Sequence, residues 1–180
     1  GNPQSCFAAG TPIQMADGSQ QAIERIRPGD SITTFDGTSA RVTRIKTRKT
    51  DHIRELRYQE TGTGLMHRIR TTDEHQFWIM NRHQWALAAD ILIGDHILLS
   101  NGSTASVTQT VRKPSSARVY NFDVAGYQSY FANNALVYQE CGGQTADHVN
   151  ERLNAFLESI LPFQQHKPLS IDVSQMGGRK

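Results

Sequence analysis

One internal repeat constrains this chain more than any other feature. Residues 26–43 read IRPGDSITTFDGTSARVT, and residues 91–108 read ILIGDHILLSNGSTASVT. At a constant offset of 65, Ile26 matches Ile91, Gly29-Asp30 matches Gly94-Asp95, and Ile32 matches Ile97. Asp36-Gly37 then matches Asn101-Gly102, Ala40 matches Ala105, and Val42-Thr43 matches Val107-Thr108. A Gly at one place, and Asp or Asn before Gly at another, fix the same two turns in both copies. A repeat this infrequent does not make a solenoid. It implies two similar β subdomains related by a pseudo-two-fold axis, with a hairpin such as 31–43 crossing from one half to the other.

Turn chemistry dominates the first 140 residues. Asp17-Gly18, Pro28-Gly29-Asp30, Gly62-Thr63-Gly64 and Ala125-Gly126 add to the repeat's own turns. Between them lie short β-prone runs at 30–35, 40–47, 53–59, 67–71, 77–80, 95–100, 105–111, 118–124, 129–132 and 135–138. Many short strands spaced by turns predict an all-β fold. Residues 23–26 and 87–91 read as single helical turns leading into strands. After Gln139 the pattern changes. Residues 145–160 place apolar side chains at 149, 153, 156, 157 and 160, the spacing of an amphipathic helix, with Thr145 as N-cap and Pro162 as its stop. The tail beyond reads as loop, with a short strand at 169–173.

Composition excludes several classes. A net charge of +2 gives no reason to expect a nucleic-acid partner. The basic run 41–49 interleaves its cations with Val42, Thr43, Ile45 and Thr47, and reads as a strand with a solvated basic face. No apolar stretch approaches the ~18 residues of a membrane span, and the polar opening residues lack a secretory signal pattern. The two cysteines, Cys6 and Cys141, form no C-x-x-C pair, which argues against a structural zinc or thioredoxin-type motif. Trp78 and Trp85 read as core residues, and the remaining histidines share no ligand spacing.

The chemistry centres on Cys6, which stands in Ser5-Cys6-Phe7-Ala8-Ala9-Gly10-Thr11-Pro12. A cysteine that attacks the peptide bond before it needs a partly ionised thiol, a general acid for the leaving nitrogen and donors for the oxyanion. Thr72-Asp73-Glu74-His75 offers His75 as the acid and Thr72 as an orienting or polarising group. Asp123, in the apolar run 120–124, offers a carboxylate that accepts the thiol proton or pairs with an ammonium.

Together these residues resemble the Hint superfamily: inteins, bacterial intein-like domains, hedgehog autoprocessing domains and the Hint domains that precede bacterial polymorphic toxins. Residues 6–13 with Ala16-Asp17-Gly18 resemble the first splicing block, and 23–30 its continuation. Residues 72–75 resemble the T-x-x-H block, 121–132 the penultimate block and 134–139 the last. The resemblance implies a horseshoe-shaped all-β Hint domain over 6–139 with its two ends together. Residues 1–5 would then be an upstream flank, and 140–180 a downstream flank carrying the helical appendage. It implies Cys6 as nucleophile at the Ser5–Cys6 bond, His75 as acid, Thr72 assisting and Asp123 supporting the acyl shift. It needs no cofactor or metal. It also implies a parent protein of secreted or surface bacterial type.

The last block departs from the family pattern of His-Asn followed by Cys, Ser or Thr. Here Tyr138-Gln139 precede Glu140. Gln139 can cyclise only to a six-membered glutarimide, which is slower than succinimide formation. Tyr138 lacks an imidazole, and Glu140 cannot accept an acyl group. Cys141 becomes the acceptor only if Glu140 takes the cyclising position. The expectation is therefore N-terminal cleavage through a Cys6 thioester, resolved by water or an external thiol or amine. Slow C-terminal cleavage at Gln139–Glu140 would accompany it. Splicing through Cys141, and a Hint fold kept only as an interaction or spacer module, stay open as alternatives. The partners are the chain's own flanking polypeptides, and the domain reads as a monomer.

Overall fold

The computed structural model describes residues 5–127, 129–139 and 147–165, with side chains in the terminal helix described over 151–160. Its strands are β1 (Phe7–Ala8), β2 (Pro12–Gln14), β3 (Gln20–Ala22), β4 (Ser31–Thr33), β5 (Ser39–Lys49), β6 (His52–Glu60) and β7 (Met66–Thr71). The second half adds β8 (Gln76–Ile79), β9 (Gln84–Leu87), β10 (His96–Leu98), β11 (Thr104–Pro114), β12 (Arg118–Val124), β13 (Ser129–Ala132) and β14 (Ala135–Tyr138). They form one antiparallel sheet in the order β3-β2-β13-β14-β8-β10-β11-β6-β7-β1-β12-β5-β4, with β9 on β8. The fold is all-β with one C-terminal helix, as the turn spacing predicts.

The repeat is physical and longer than its sequence trace. β4 and β10, and likewise β5 and β11, are related by the offset of 65. In the first copy Gly29 N–H donates to Val42 O, and Val42 N–H to Asp30 O, both at 2.8 Å. In the second, Gly94 donates to Val107 and Val107 to Asp95, again at 2.8 Å. The Asp carboxylates close the same turn, accepting from Arg27 N–H and from Leu92 N–H at 2.8 Å. Both Gly29 and Gly94 sit near φ +95°, a region closed to most side chains. The single 3-10 turns Ile23–Arg25 and Ala88–Asp90 obey the same offset. So do Gly18 and His83, each following a matched methionine; His83 adopts φ +49° where the first copy has glycine.

The halves are interlocked rather than side by side. The long strand β5 of the first copy pairs with β12, and β11 of the second pairs with β6. Buried Phe7, Ile13, Leu56, Tyr58, Phe77, Ile97, Phe122 and Tyr130 belong to one core shared by both halves. Strands β1, β2, β3 and β9 are not legible from sequence, because two- to four-residue segments show no alternation long enough to detect.

The end of the domain returns to its start through a tight turn. Asn133 and Asn134 take φ +43° and +70° between paired Ala132 and Ala135. Two consecutive positive-φ residues make the hairpin turn that matches strand twist, and asparagine tolerates it best after glycine. β14 then runs back beside β8 and ends at Tyr138.

The terminal helix, α1 (Asp147–Gln165), continues past Pro162. The expected stop there is corrected. Pro162 removes one i→i−4 donor without ending the helix, which runs three residues past it. The proposed N-cap Thr145, and the strand suggested at 169–173, lie outside the described residues. Leu153 and Leu157 of α1 are buried against Phe35, Trp78, Met80, Leu98, Phe131 and Leu136.

Candidate active site

Cys6 owes its position to Phe7. The Phe7 ring is fully buried, stacks on His75 at 4.0 Å and meets Phe77 and Tyr130 edge-on. Its backbone pairs with Thr71 of β7 and Tyr120 of β12. This two-residue strand is wedged between two longer ones, so the peptide before it is clamped on both sides.

Both halves of the Ser5–Cys6 peptide bond are held. Cys6 N–H donates to Thr72 Oγ1 at 2.9 Å. Asn121 Nδ2 donates to the Ser5 carbonyl oxygen at 2.7 Å. The Asn121 amide has only one allowed orientation: its Oδ1 accepts from Phe122 N–H at 2.8 Å and from the Tyr130 hydroxyl at 3.1 Å. Nδ2 must then face Ser5. On the far side of Cys6, Thr72 N–H donates to Cys6 O at 3.0 Å and Thr72 Oγ1 lies 3.2 Å from the same oxygen. Ser5 Oγ donates to Glu74 O at 3.3 Å.

The electrostatics of the thiol are opposed. Burial pushes the Cys6 thiol up, while the Arg48 guanidinium, which hydrogen-bonds it, and the Lys46 ammonium pull it down. Arg48 also lies 3.8 Å from Glu74, and Lys46 pairs with Asp123 at 2.9 Å. His75 is fully buried, and burial, aided by Lys46, drops its pKa to about 3. It is therefore a neutral imidazole. Neither ring nitrogen has a hydrogen-bond partner among the described residues. In this structure the group touching the Cys6 nitrogen is Thr72, while His75 lies against Phe7.

Asp123 is buried, and its Oδ1 also accepts from Gln139 Nε2 at 3.4 Å. Lys46 thus joins the two ends of the domain, acting on Cys6 and His75 while pairing with the carboxylate that receives Gln139. Tyr138 is half-buried with its ring against Trp85 at 5.2 Å. Glu140 and Cys141 lie outside the described residues. Among those described, no three His, Cys, Asp or Glu side chains gather as metal ligands do.

Three residues at this site escape sequence reasoning: Asn121, Lys46 and Arg48. Lys46 and Arg48 belong to the run read as a solvated basic face, and that reading is corrected for them. A signal existed. Asn121 and Asp123 alternate on one face of β12, and β5 pairs with that strand so that Lys46 stands opposite Asn121.

A family model of the pretoxin Hint domain matches residues 13–141. Among solved structures, the bacterial intein-like domain from Clostridium thermocellum is 26% identical, covers 75% of this chain and 98% of its own, and superposes with a TM-score of 0.63. A DnaB intein from Synechocystis is 16% identical over 76% of this chain and 99% of its own, with a TM-score of 0.57. The gp41-1 intein is 14% identical over 74% and 98%, with a TM-score of 0.58. The last two show likeness of fold alone. No curated protein matches the chain in sequence. With the family model covering most of its length and the fold shared with an intein-like domain, the chain belongs to the pretoxin Hint domain family, whose relatives are self-processing.

Proposed function

We propose that residues 6–139 form a single-turnover autoprocessing domain that cleaves the bond between Ser5 and Cys6. The Cys6 sulfur attacks the Ser5 carbonyl carbon, and a C–S bond forms as the C–N bond breaks. The carbonyl oxygen gathers negative charge against Asn121 Nδ2, the donor already on it. Arg48 and Lys46 offset part of the burial that holds the Cys6 thiol protonated. His75, neutral in its apolar pocket, gives its ring proton to the leaving nitrogen and recovers the thiol proton, so the net transfer is from sulfur to nitrogen. Thr72 orients the scissile N–H beforehand.

The thioester then meets an external acceptor. Water releases the upstream chain as a carboxylate, a thiol as a new thioester, and an amine as an amide; each restores the Cys6 thiol. At the other end, Gln139 closes on its own carbonyl only slowly, with Asp123 holding its side-chain amide. Tyr138 stands where the family has its imidazole donor and does not supply that ring. The domain sits within a larger toxin-type protein, and its substrates are its own flanks, residues 1–5 and 140–180.

The observation that carries this reading is the double grip on one peptide bond, Asn121 on its oxygen and Thr72 on its nitrogen. Incubating a chain extended upstream of Ser5 with dithiothreitol tests it. Mass spectrometry should show release of a fragment ending at Ser5, and Cys6→Ala should abolish that release.

A further inference from the structure

Helix α1 of the downstream flank packs on the domain. Leu153 and Leu157 of α1, one turn apart, are each only 3% exposed. Phe156 meets Phe35 at 5.6 Å between ring centroids, and Ile160 packs on the same cluster. Polar contacts frame this stripe. Arg152 pairs with Asp36, in the second turn of the first repeat, and lies 5.9 Å over the Tyr127 ring. His83 Nε2 donates to the Leu157 carbonyl at 3.2 Å.

The receiving face draws Phe35 and Asp36 from the first copy, and its other residues are not duplicated there. At the offset of 65, the counterparts of Trp78, His83 and Leu98 are Ile13, Gly18 and Thr33. His83 holds φ +49° where its counterpart is glycine. An imidazole kept in the left-handed region, against its intrinsic preference, is explained by what it touches: the helix backbone and the Trp78 ring at 5.0 Å.

We propose that this face, built from Phe35, Trp78, Met80, Leu98, Phe131 and Leu136, is a receptor for residues 151–160. It retains the downstream product after the chain is cut between Gln139 and the helix. The place of that cut rests on the reading above; the docking does not. Cleavage turns an intramolecular contact into an intermolecular one, and the fragment then stays bound through its apolar stripe rather than diffusing away. Leu136 places the docked helix on β14, the strand that leads to the cut, and Trp85 of the same cluster meets Tyr138 beside it. A partner that frees the downstream segment must therefore displace this helix as well as await the cleavage.

The test separates docking from autoprocessing. A recognition sequence for a site-specific protease is inserted between Gly142 and Gly143 of the full chain carrying Cys6→Ala, and the chain is nicked from outside. Native mass spectrometry and gel filtration at micromolar concentration should find the two fragments still together. The double substitution Leu153→Asp with Leu157→Asp should let them separate. It leaves the sheet sequence untouched, and an unchanged strand signal by circular dichroism confirms that the domain is folded. Separation of the nicked parent at that concentration, or retention by the double variant, overturns the proposal. Failure of thiol-induced cleavage in the unnicked chain bears only on the Cys6 reading.

Discussion

Asn121 holds the Ser5 carbonyl oxygen at 2.7 Å, and its own amide oxygen is pinned from behind by Phe122 N–H and the Tyr130 hydroxyl. A donor fixed before the reaction starts needs no reorganisation when charge develops, which is the condition under which such donors contribute most. Removing it should be costly. Asn121→Ala should slow thiol-induced cleavage at Ser5–Cys6 by about 10²–10³-fold. Tyr130→Phe, which loosens the pin but keeps the donor, should slow it less. Single-turnover cleavage time courses on denaturing gels order the two variants.

Thr72 is tested by shape against chemistry. Its hydroxyl accepts from Cys6 N–H inside the fold. Thr72→Ser keeps the oxygen and should keep most of the cleavage rate. Thr72→Val keeps the shape but leaves a buried N–H unpaired, at about 1–3 kcal/mol. Both the urea midpoint and the cleavage rate of Thr72→Val should fall. A Thr72→Val chain as stable as its parent would show that this bond is replaced by another.

The pH dependence of stability follows from His75. Its pKa is 6.5 when exposed and about 3 when folded, because burial disfavours the cation. The unfolded chain therefore binds an extra proton between those values. Stability conferred at neutral pH is lost as pH falls below 6.5, by ~1.4 kcal/mol per unit, and the loss levels off near the folded value. Urea denaturation at pH 7, 6, 5 and 4 measures the slope, and His75→Gln should flatten it. The cleavage rate moves the same way for another reason. Burial lifts the Cys6 thiol above its ordinary value of 9.0, so the rate should climb with pH through and beyond that value.

Lys46 and Asp123 form a pair whose carboxylate is nearly buried. Lys46→Met leaves that charge without its cation, and a loss on the order of 3 kcal/mol is expected from breaking one side of such a pair. Lys46→Met with Asp123→Leu should recover much of it. The coupling from the double-mutant cycle, read by chemical denaturation, should exceed the ~1 kcal/mol ceiling of exposed surface pairs.

At the other end, ring size is the barrier. Gln139→Asn shortens the side chain to one that closes a five-membered ring and should raise cleavage after position 139, whereas Gln139→Ala should abolish it. Intact-mass measurement of the downstream fragment reads both.

The repeat was legible because it is written in turns. Gly29 and Gly94 have few alternatives at their positive φ, and Asp30 and Asp95 each close the turn through a carboxylate, so the spacing shows in the sequence. Cys6 stands out for the same kind of reason, as one of two cysteines and the one set in a patterned neighbourhood. Asn121, Lys46 and Arg48 do not. Their roles depend on which strand pairs with which, and in what register, and β5 reaches β12 only through the exchange of arms between halves. Single-residue periodicity carries no trace of that pairing. Pro162 marks a lost i→i−4 bond rather than a boundary, since one missing bond near the end of a helix packed by Leu153 and Leu157 does not stop it.

The most direct measurement is intact-mass analysis of a chain extended upstream of Ser5 and downstream of Lys180, incubated with and without dithiothreitol, alongside its Cys6→Ala counterpart. A thiol-accelerated upstream fragment ending at Ser5 is expected, absent in Cys6→Ala, with no product joining the two flanks. Equal cleavage in Cys6→Ala, no cleavage in the parent chain, or a ligated flank-to-flank product would contradict this expectation.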